Sequence, residues 1–355
     1  MSRLPLTSPP ASLCLLRLSA IGDVTHVLPV IATLQQVWPD TRITWVIGRL
    51  EYQLVKDLTG IEFIVFDKSQ GLAAYRDLRR QMKGRRFDVL LAMQVALRAN
   101  LLGRLIPADL RLGFDKERAR DFHSLFVNET LRGPSRVHVL DGFFQFLEAL
   151  GIDQRRMDWL LEPSEEDQTW AKERIGGRPT IIINPSSSAR RNNFRNWPAE
   201  RQAQVIDWLH RHDLQVTLTG GPDPAERAFA AEIRQLCNHP PLDLVGQTSL
   251  GQLLALLRQA RALIAPDTGP AHMGTVAGIP VIGLYASSNP LRTGPYNSLA
   301  HCVNAYPEAL QRYKGKTVDQ ARWGERVRDP RVMEMIEVDA VIERLKSLPG
   351  LKGHL

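Results

Sequence analysis

ALIAPDTGPAHMGTVAGIPVIGLY, residues 262–285, reads as a strand, a tight turn, a helix and a second strand. Ala262 to Ala265 is short and apolar, as a strand covered on both faces must be. Asp267, Thr268 and Gly269 break that run, and Pro270 stands where a helix begins and its missing N–H costs nothing. Gly269 to Ala277 carries the helix, and Pro280 to Tyr285 is the next apolar run. Such a unit pairs two parallel strands. Its turn falls at the carboxyl end of the first strand, where open α/β sheets bind ligands.

A second turn of this form lies near the other end of the chain. Leu13-Cys14-Leu15-Leu16 leads directly into Arg17-Leu18-Ser19-Ala20-Ile21-Gly22-Asp23. Between the two turns, strand-like runs (43–48, 62–66, 87–93, 180–184, 214–219) alternate with helical spacing over 30–37, 72–82, 139–150, 198–211 and 250–260. This rhythm predicts an α/β protein with two Rossmann-like, doubly wound domains facing a central cleft. We expect residues 1–12 as an N-terminal tail and 13–163 as the first domain. The polar run Glu162 to Asp167, followed by a short helix ending at the pair Gly176-Gly177, marks the domain boundary, and we expect a linker over 164–178. The second domain is then 179–335, and an amphipathic C-terminal segment, 336–355, is long enough to pack back on the first.

At 355 residues, with 44% hydrophobic and 23% charged residues, the chain has the composition of a globular protein with more than one core. Its three cysteines are scattered and form no CxxC, which argues against a disulfide framework and points to a reducing compartment. No run approaches the ~20 apolar residues of a membrane span. The net charge of +7 draws heavily on the first half, from Arg76 through Arg98 and Arg104 to Arg120. That excess favours anionic partners, namely phosphates, nucleic acid or an acidic membrane surface. A nucleic-acid binder would show a recognised binding module, and none is present.

Asp23 follows a glycine at the mouth of the first strand, where a carboxylate can take a proton from a hydroxyl or can simply cap a helix. Around Gly269, first-turn amides and the helix dipole would favour a diphosphate. Asp267 would repel phosphate and is better suited to sugar hydroxyls, and His272 follows one turn later. Ser186 and Ser187, followed by Arg190, Arg191 and Arg195, combine hydroxyl and guanidinium groups that suit a phosphorylated ligand. Gly220-Gly221-Pro222-Asp223-Pro224-Ala225-Glu226 ends another strand with two carboxylates. There is no DxD or HExxH, so no metal site is expected.

Taken together, RLSAIGDVTHVLP, SSSARRNNFRNWP, GGPDPAER and PDTGPAHMGTVAGIPVIGLYASSNPLRTGPY resemble the lipopolysaccharide heptosyltransferases of glycosyltransferase family 9, over about 13–296. RLSAIGD, VLLAMQVALRAN and HVLDGF are most similar to heptosyltransferase I. The resemblance implies a GT-B fold and an inverting, metal-independent transfer from ADP-heptose, the donor substrate, with no cofactor. The implied acceptor is inner-core Kdo of lipid A. It implies Asp23 as general base and Arg195, or alternatively Arg190 or Arg191, beside the leaving diphosphate. Asp223 or Glu226, with Ser186, Ser187, Asp267, Thr268, Gly269 and His272, would bind donor, and Gln247 and Thr248 would lie near adenine. Ser19, Ala20, Gly22, Arg98 and Arg104 would meet the acceptor. A cytoplasmic enzyme touching the inner membrane peripherally is implied, with no nucleic-acid partner. Heptosyltransferase II or another family 9 transferase with a different acceptor is the alternative, ahead of a nucleotide-sugar epimerase. Residues 306–331 match no motif.

Overall fold

The structure, a computed structural model, describes residues 4–187 and 193–353. The chain divides into two compact units, Met1–Leu161 and Glu162–Leu355. In the first, the elements run β1 (Ser12–Leu16), α1 (Ile21–Val37), β2 (Arg42–Gly48), α2 (Arg49–Val55), β3 (Ile61–Phe66) and α3 (Leu72–Gln81). They continue with β4 (Phe87–Ala92), α4 (Leu97–Leu105), β5 (Ala108–Gly113), β6 (Glu129–Thr130) and α5 (Val139–Leu150). The strands form one six-stranded sheet in the order β3-β2-β1-β4-β5-β6, and every pairing is parallel. The central strand β1 is buried along its whole length, with Leu13 opposite both Ile43 and Val89.

The second unit opens with α6 (Glu165–Ile175), β7 (Thr180–Ile183), α7 (Ala199–His210), β8 (Gln215–Leu218), α8 (Pro224–Leu236) and β9 (Leu242–Asp243). Then follow α9 (Leu250–Gln259), β10 (Ala262–Pro266), α10 (Gly269–Ala277), β11 (Val281–Tyr285) and α11 (Pro290–Thr293). β12 (Val303–Asn304), α12 (Tyr306–Lys314) and α13 (Val338–Ser347) complete it. Its six-stranded sheet has the order β12-β11-β10-β7-β8-β9. Counted within the unit and read from the other edge, this repeats the strand order of the first sheet. Both orders reverse direction beside a central strand, between β1 and β4 and between β7 and β10. At such a point the helices leave toward opposite faces and open a crevice at the strands' carboxyl ends.

The short helix expected before Gly176-Gly177 is α6, which fills the segment expected as a linker; Ser164 caps it, its Oγ accepting from Asp167 N–H at 3.1 Å. That helix packs on α9, with Gln259 Nε2 donating to Gln168 O at 3.0 Å, so it belongs to the second unit. The C-terminal segment is part of the second unit's core. Val341, Leu345 and Leu348 follow i, i+4, i+7 spacing and are buried with Leu351 in the cluster that holds Val205 and Leu209 of α7. Trp197 Nε1 donates to Ile336 O at 2.9 Å, and Arg201 Nη1 donates to Glu334 O at 2.6 Å. The tail is tied down at its described residues: Leu6 N–H donates to Leu150 O at 3.2 Å, and Thr41 Oγ1 donates to Pro10 O at 2.7 Å. All three cysteines are free and buried, and burial pushes the Cys237 thiol up to about 11 and that of Cys302 to about 12. Among the described residues no helix is long and apolar enough to cross a membrane.

Gly48 ends β2 where it passes the turn after β1; its N–H donates to Leu18 O at 3.0 Å, and a Cβ there would stand 2.4 Å from that oxygen. Gly48→Ala is therefore expected to cost about 1–3 kcal/mol, read from urea unfolding; wild-type stability would mean the turn moves aside freely. His123, in the segment between β5 and β6, accepts from Phe114 N–H at Nε2 (3.1 Å), while Nδ1 lies 2.7 Å from Asn100 Oδ1. A neutral ring protonated on Nδ1 satisfies both. Burial pushes its pKa below 6.5. The stability it supplies is thus complete above that value and is lost as pH falls below it toward the folded value, because the unfolded chain protonates first. The urea midpoint should fall across this window in the wild type and less steeply in His123→Gln.

Candidate active site

In the first unit the turn after β1 is built around Asp23, the third residue of α1. Its Oδ2 accepts from Ala20 N–H at 3.3 Å and pairs with Arg17 Nη2. Arg17 Nη1 donates to Met93 O at 2.6 Å, and the guanidinium lies 5.3 Å from the Phe143 ring centre. Both bonds to Asp23 fall on Oδ2. Oδ1 carries the remaining lone pairs, and the side chain is 31% exposed. Asp23 therefore makes a cap-like bond and remains partly exposed. Gln94, after β4, braces the turn: Oε1 accepts from Leu18 N–H at 2.8 Å and Nε2 donates to Ser19 Oγ at 3.4 Å. Ala20 is exposed, and Gly22 is buried with its carbonyl bonded to Thr25 Oγ1 at 2.7 Å. Arg98 and Arg104 are both exposed on α4. Arg98 opens the helix next to the end of β4, whereas Arg104 sits in its last turn, about 9 Å along the axis.

In the second unit the turn after β10 gathers charge. Asp267 Oδ2 accepts from Ser288 Oγ at 2.9 Å and lies 3.6 Å from Arg195 Nη1 and 3.7 Å from Arg326 Nη2. Arg195 Nη1 also donates to Asp267 O at 2.5 Å. Two guanidinium groups against one buried carboxylate leave this cluster net positive. The apparent conflict of Asp267 with a phosphate is thereby removed: the carboxylate is internal scaffolding that aims two arginines. Thr268 does not cap α10, since its Oγ1 turns to Asn184 Oδ1 at 3.3 Å, so the first-turn amides keep their pull on an anion. His272 is buried one turn into the helix.

The remaining candidates separate. Glu226 is buried, accepts from Gly221 N–H at 2.8 Å and stands 3.4 Å from Ser186 Oγ. Asp223 is exposed and caps α8 through Ala225 N–H at 2.8 Å, so Glu226 is the one that meets the serine loop. Ser187 Oγ donates to Asn193 Oδ1 at 2.6 Å, and Asn193 Oδ1 also accepts from Arg195 N–H at 3.1 Å, which ties the serines to the arginine. Gln247 points back to Asp243 O at 2.9 Å in the turn before α9, with Thr248 beside it, partly buried. Arg190 and Arg191 lie outside the described residues.

Four participants had no role in the sequence reading: Arg17, Gln94, Ser288 and Arg326. Arg326 falls within the stretch that matched no motif. It is anchored there because Val327 N–H donates to Ser287 O at 2.9 Å and Ser287 Oγ donates back to Val327 O at 2.8 Å. That pairing spans forty residues and leaves no local pattern. Arg17 was adjacent to Asp23 all along, and its signal was a lone arginine closing an apolar strand.

Residues 75–321 match the family described as glycosyltransferase family 9 (heptosyltransferase). The lipopolysaccharide core heptosyltransferase OpsX of Haemophilus influenzae is 39% identical over 343 residues, covering 96% of this chain and 98% of that protein. A glycosyltransferase family 9 structure from Veillonella parvula superposes with a TM-score of 0.77 at 24% identity, over 96% of this chain and 97% of that one. Escherichia coli heptosyltransferase WaaC with ADP gives 0.64 at 20% identity, over 87% and 100%. The two sheets and these superpositions make the fold GT-B.

The Asp267 cluster can be tested without any ligand. Asp267→Ala strands two guanidinium groups and a serine and should cost about 1–3 kcal/mol in urea unfolding. Adding Arg326→Ala should recover part of that loss, and strictly additive effects would show that Arg326 does not feel Asp267.

Proposed function

We infer the activity from one premise: this chain belongs to glycosyltransferase family 9, the heptosyltransferase family. It is a glycosyltransferase. Its proposed reaction is transfer of L-glycero-D-manno-heptose from ADP-heptose to Kdo of the lipid A inner core, with inversion and without a metal, during lipopolysaccharide core assembly. The similarity to the lipopolysaccharide core heptosyltransferase of Haemophilus influenzae supports the heptosyl and core parts of this reading. The enzyme would work at the cytoplasmic face of the inner membrane, touching it peripherally.

The observation that carries the mechanism is that both switch points bear complementary chemistry, an oriented carboxylate after β1 and an arginine-flanked, uncapped helix start after β10. Asp23 Oδ1 takes the proton of an acceptor hydroxyl, and the hydroxyl oxygen bonds to the anomeric carbon of the donor. On the opposite face the bond from that carbon to the diphosphate oxygen breaks, and ADP leaves with the electron pair. Arg17 keeps Oδ2 occupied, so the proton goes to Oδ1. Arg195, Arg326 and the first-turn amides of α10 meet the charge growing on the diphosphate, the task a divalent cation performs in metal-dependent transferases. In this reading Glu226 and Ser186, 3.4 Å apart, would bind hydroxyl groups of the donor, and Arg98, in the first turn of α4, would meet an acceptor phosphate or carboxylate ahead of Arg104.

ADP release from ADP-heptose in EDTA, with and without Kdo–lipid A, tests the reaction. Release should need the acceptor and survive chelation. Conversion of donor without acceptor would favour an epimerase, and release only with a heptosylated or phosphorylated core would move the protein to another acceptor within the family. Asp23→Ala should lower kcat by about 10²–10⁴-fold while leaving ADP-heptose affinity within a few fold; near-wild-type turnover removes Asp23 from the base role. Arg326→Ala should weaken ADP binding about tenfold by calorimetry, and an unchanged Kd removes it from the anion subsite.

A further inference from the structure

Of nine exposed large hydrophobic residues among the described ones, four fall on one patch of the first unit: Leu97, Leu101, Phe122 and Leu125. Phe122 and Leu125 are the most outward, 75% and 77% exposed. Helix α4 buries Ala99, Asn100, Leu102 and Gly103 and turns the opposite face to solvent. On that face Leu97, Leu101 and Arg104 follow at i, i+4 and i+7, with Arg98 one turn before Leu101. Apolar and basic side chains thus alternate along a single exposed stripe.

The segment 120–125 is fastened beside it. Asp121 Oδ2 accepts from Leu97 N–H at 3.0 Å, and buried Asn100 donates through Nδ2 to Asp121 O at 2.9 Å and Arg120 O at 3.4 Å. Asp121 and Phe122 both hold left-handed φ values, 50° and 61°; aspartate enters that region readily, whereas a bulky phenylalanine does so rarely and under outside constraint. The constraint is that asparagine, itself fixed by His123. The result is a turn that drives a phenylalanine into water, with exposed Arg120 and Lys116 nearby in the chain. Leu72 on α3 also has exposed Arg76 and Arg79 on its helix, but it is the one exposed large hydrophobic residue of that helix, whereas α4 and the turn at 120–125 carry four.

We propose that this patch, the exposed face of α4 with the turn at 120–125, inserts into the surface of an anionic lipid bilayer. Phe122 and Leu125 enter the boundary between headgroups and acyl chains, and Arg104 and Arg120 meet lipid phosphates beside them. The occupant is argued from charge: the exposed cations Arg98, Arg104, Lys116 and Arg120 accompany the four apolar side chains, the combination that a bilayer with anionic headgroups complements. The proposal deepens the functional reading, because a transferase with a lipid-anchored acceptor must meet a bilayer, yet binding can be measured without turnover.

The test is sedimentation of the full chain with phosphatidylethanolamine–phosphatidylglycerol vesicles and with phosphatidylcholine vesicles. Binding should favour the anionic vesicles and weaken as salt rises. Phe122→Ser/Leu125→Ser should lower the partition about tenfold or more, and Arg120→Gln should lower it less. Phe122→Trp should show a blue-shifted emission on vesicles. Equal binding by the double variant, an unshifted tryptophan, or a dimer that the double variant dissociates would each overturn the proposal; the last would assign the patch to a second copy. Turnover on a deacylated, water-soluble acceptor should be the same for wild type and the double variant. Absence of that turnover in both would sink the catalytic reading while leaving the vesicle result to stand on its own.

Discussion

Where the strand order of a parallel sheet reverses, neighbouring helices depart to opposite faces, and the peptide groups at the strand ends lose their natural partners. Both units meet this constraint with one amide side chain. Gln94 takes Leu18 N–H in the first unit. In the second, Asn184 donates to Thr219 O at 2.8 Å and receives the Thr268 hydroxyl. Each clamp satisfies backbone and at the same time sets the path of the turn that carries the chemistry. The carboxylate of Asp23 and the open start of α10 are placed by these two amides more than by the residues that flank them in sequence.

Charge follows the same economy. Arg17 and Asp23 are paired inside one unit, as are Arg195, Arg326 and Asp267 inside the other. In the first turn the carboxylate is the more exposed member and the arginine the more buried one. In the second turn the carboxylate is the buried member and the guanidinium groups outnumber it. The same two residue types thus give opposite local charge balances according to which is covered. Burying an unpaired charge is costly, so neither arrangement survives loss of its partner without rearrangement.

The sequence was most readable where function and fold use adjacent residues. The apolar runs of β1, β2, β7 and β10 and the turns RLSAIGD and DTGPAH could be placed because each is a continuous stretch with one period. Helix α10 is found over the residues its spacing predicts, and α5 stops at Gly151, whose φ of 99° is the left-handed cap expected of it. What escaped is what long-range contact decides. Arg326 reaches Asp267 because its neighbour Val327 makes two bonds to Ser287, and α6 shows only a weak apolar stripe, so the unit it packs against was not legible. The C-terminal helix had the right amphipathic pattern, but a pattern states that a face will be buried and not against what. Between Asp223 and Glu226 the choice needed the cap geometry of α8, which follows from three-dimensional position.

Leu351 belongs to the same buried cluster as Ile181 and Ile183 of β7, the central strand of the second sheet. On the ribosome this imposes an order. The first unit has all of its sheet by Thr130 and its closing helix by Leu150, so it can fold while the rest of the chain is still being made. The second unit cannot complete its core, or the support that Ile336 gives to Trp197 behind the Arg195 loop, until residues about 170 positions downstream of β7 have emerged. The turn that holds Asp23 is therefore in place well before the turn that holds Asp267, and the second unit is the part that waits longest with an open core during synthesis.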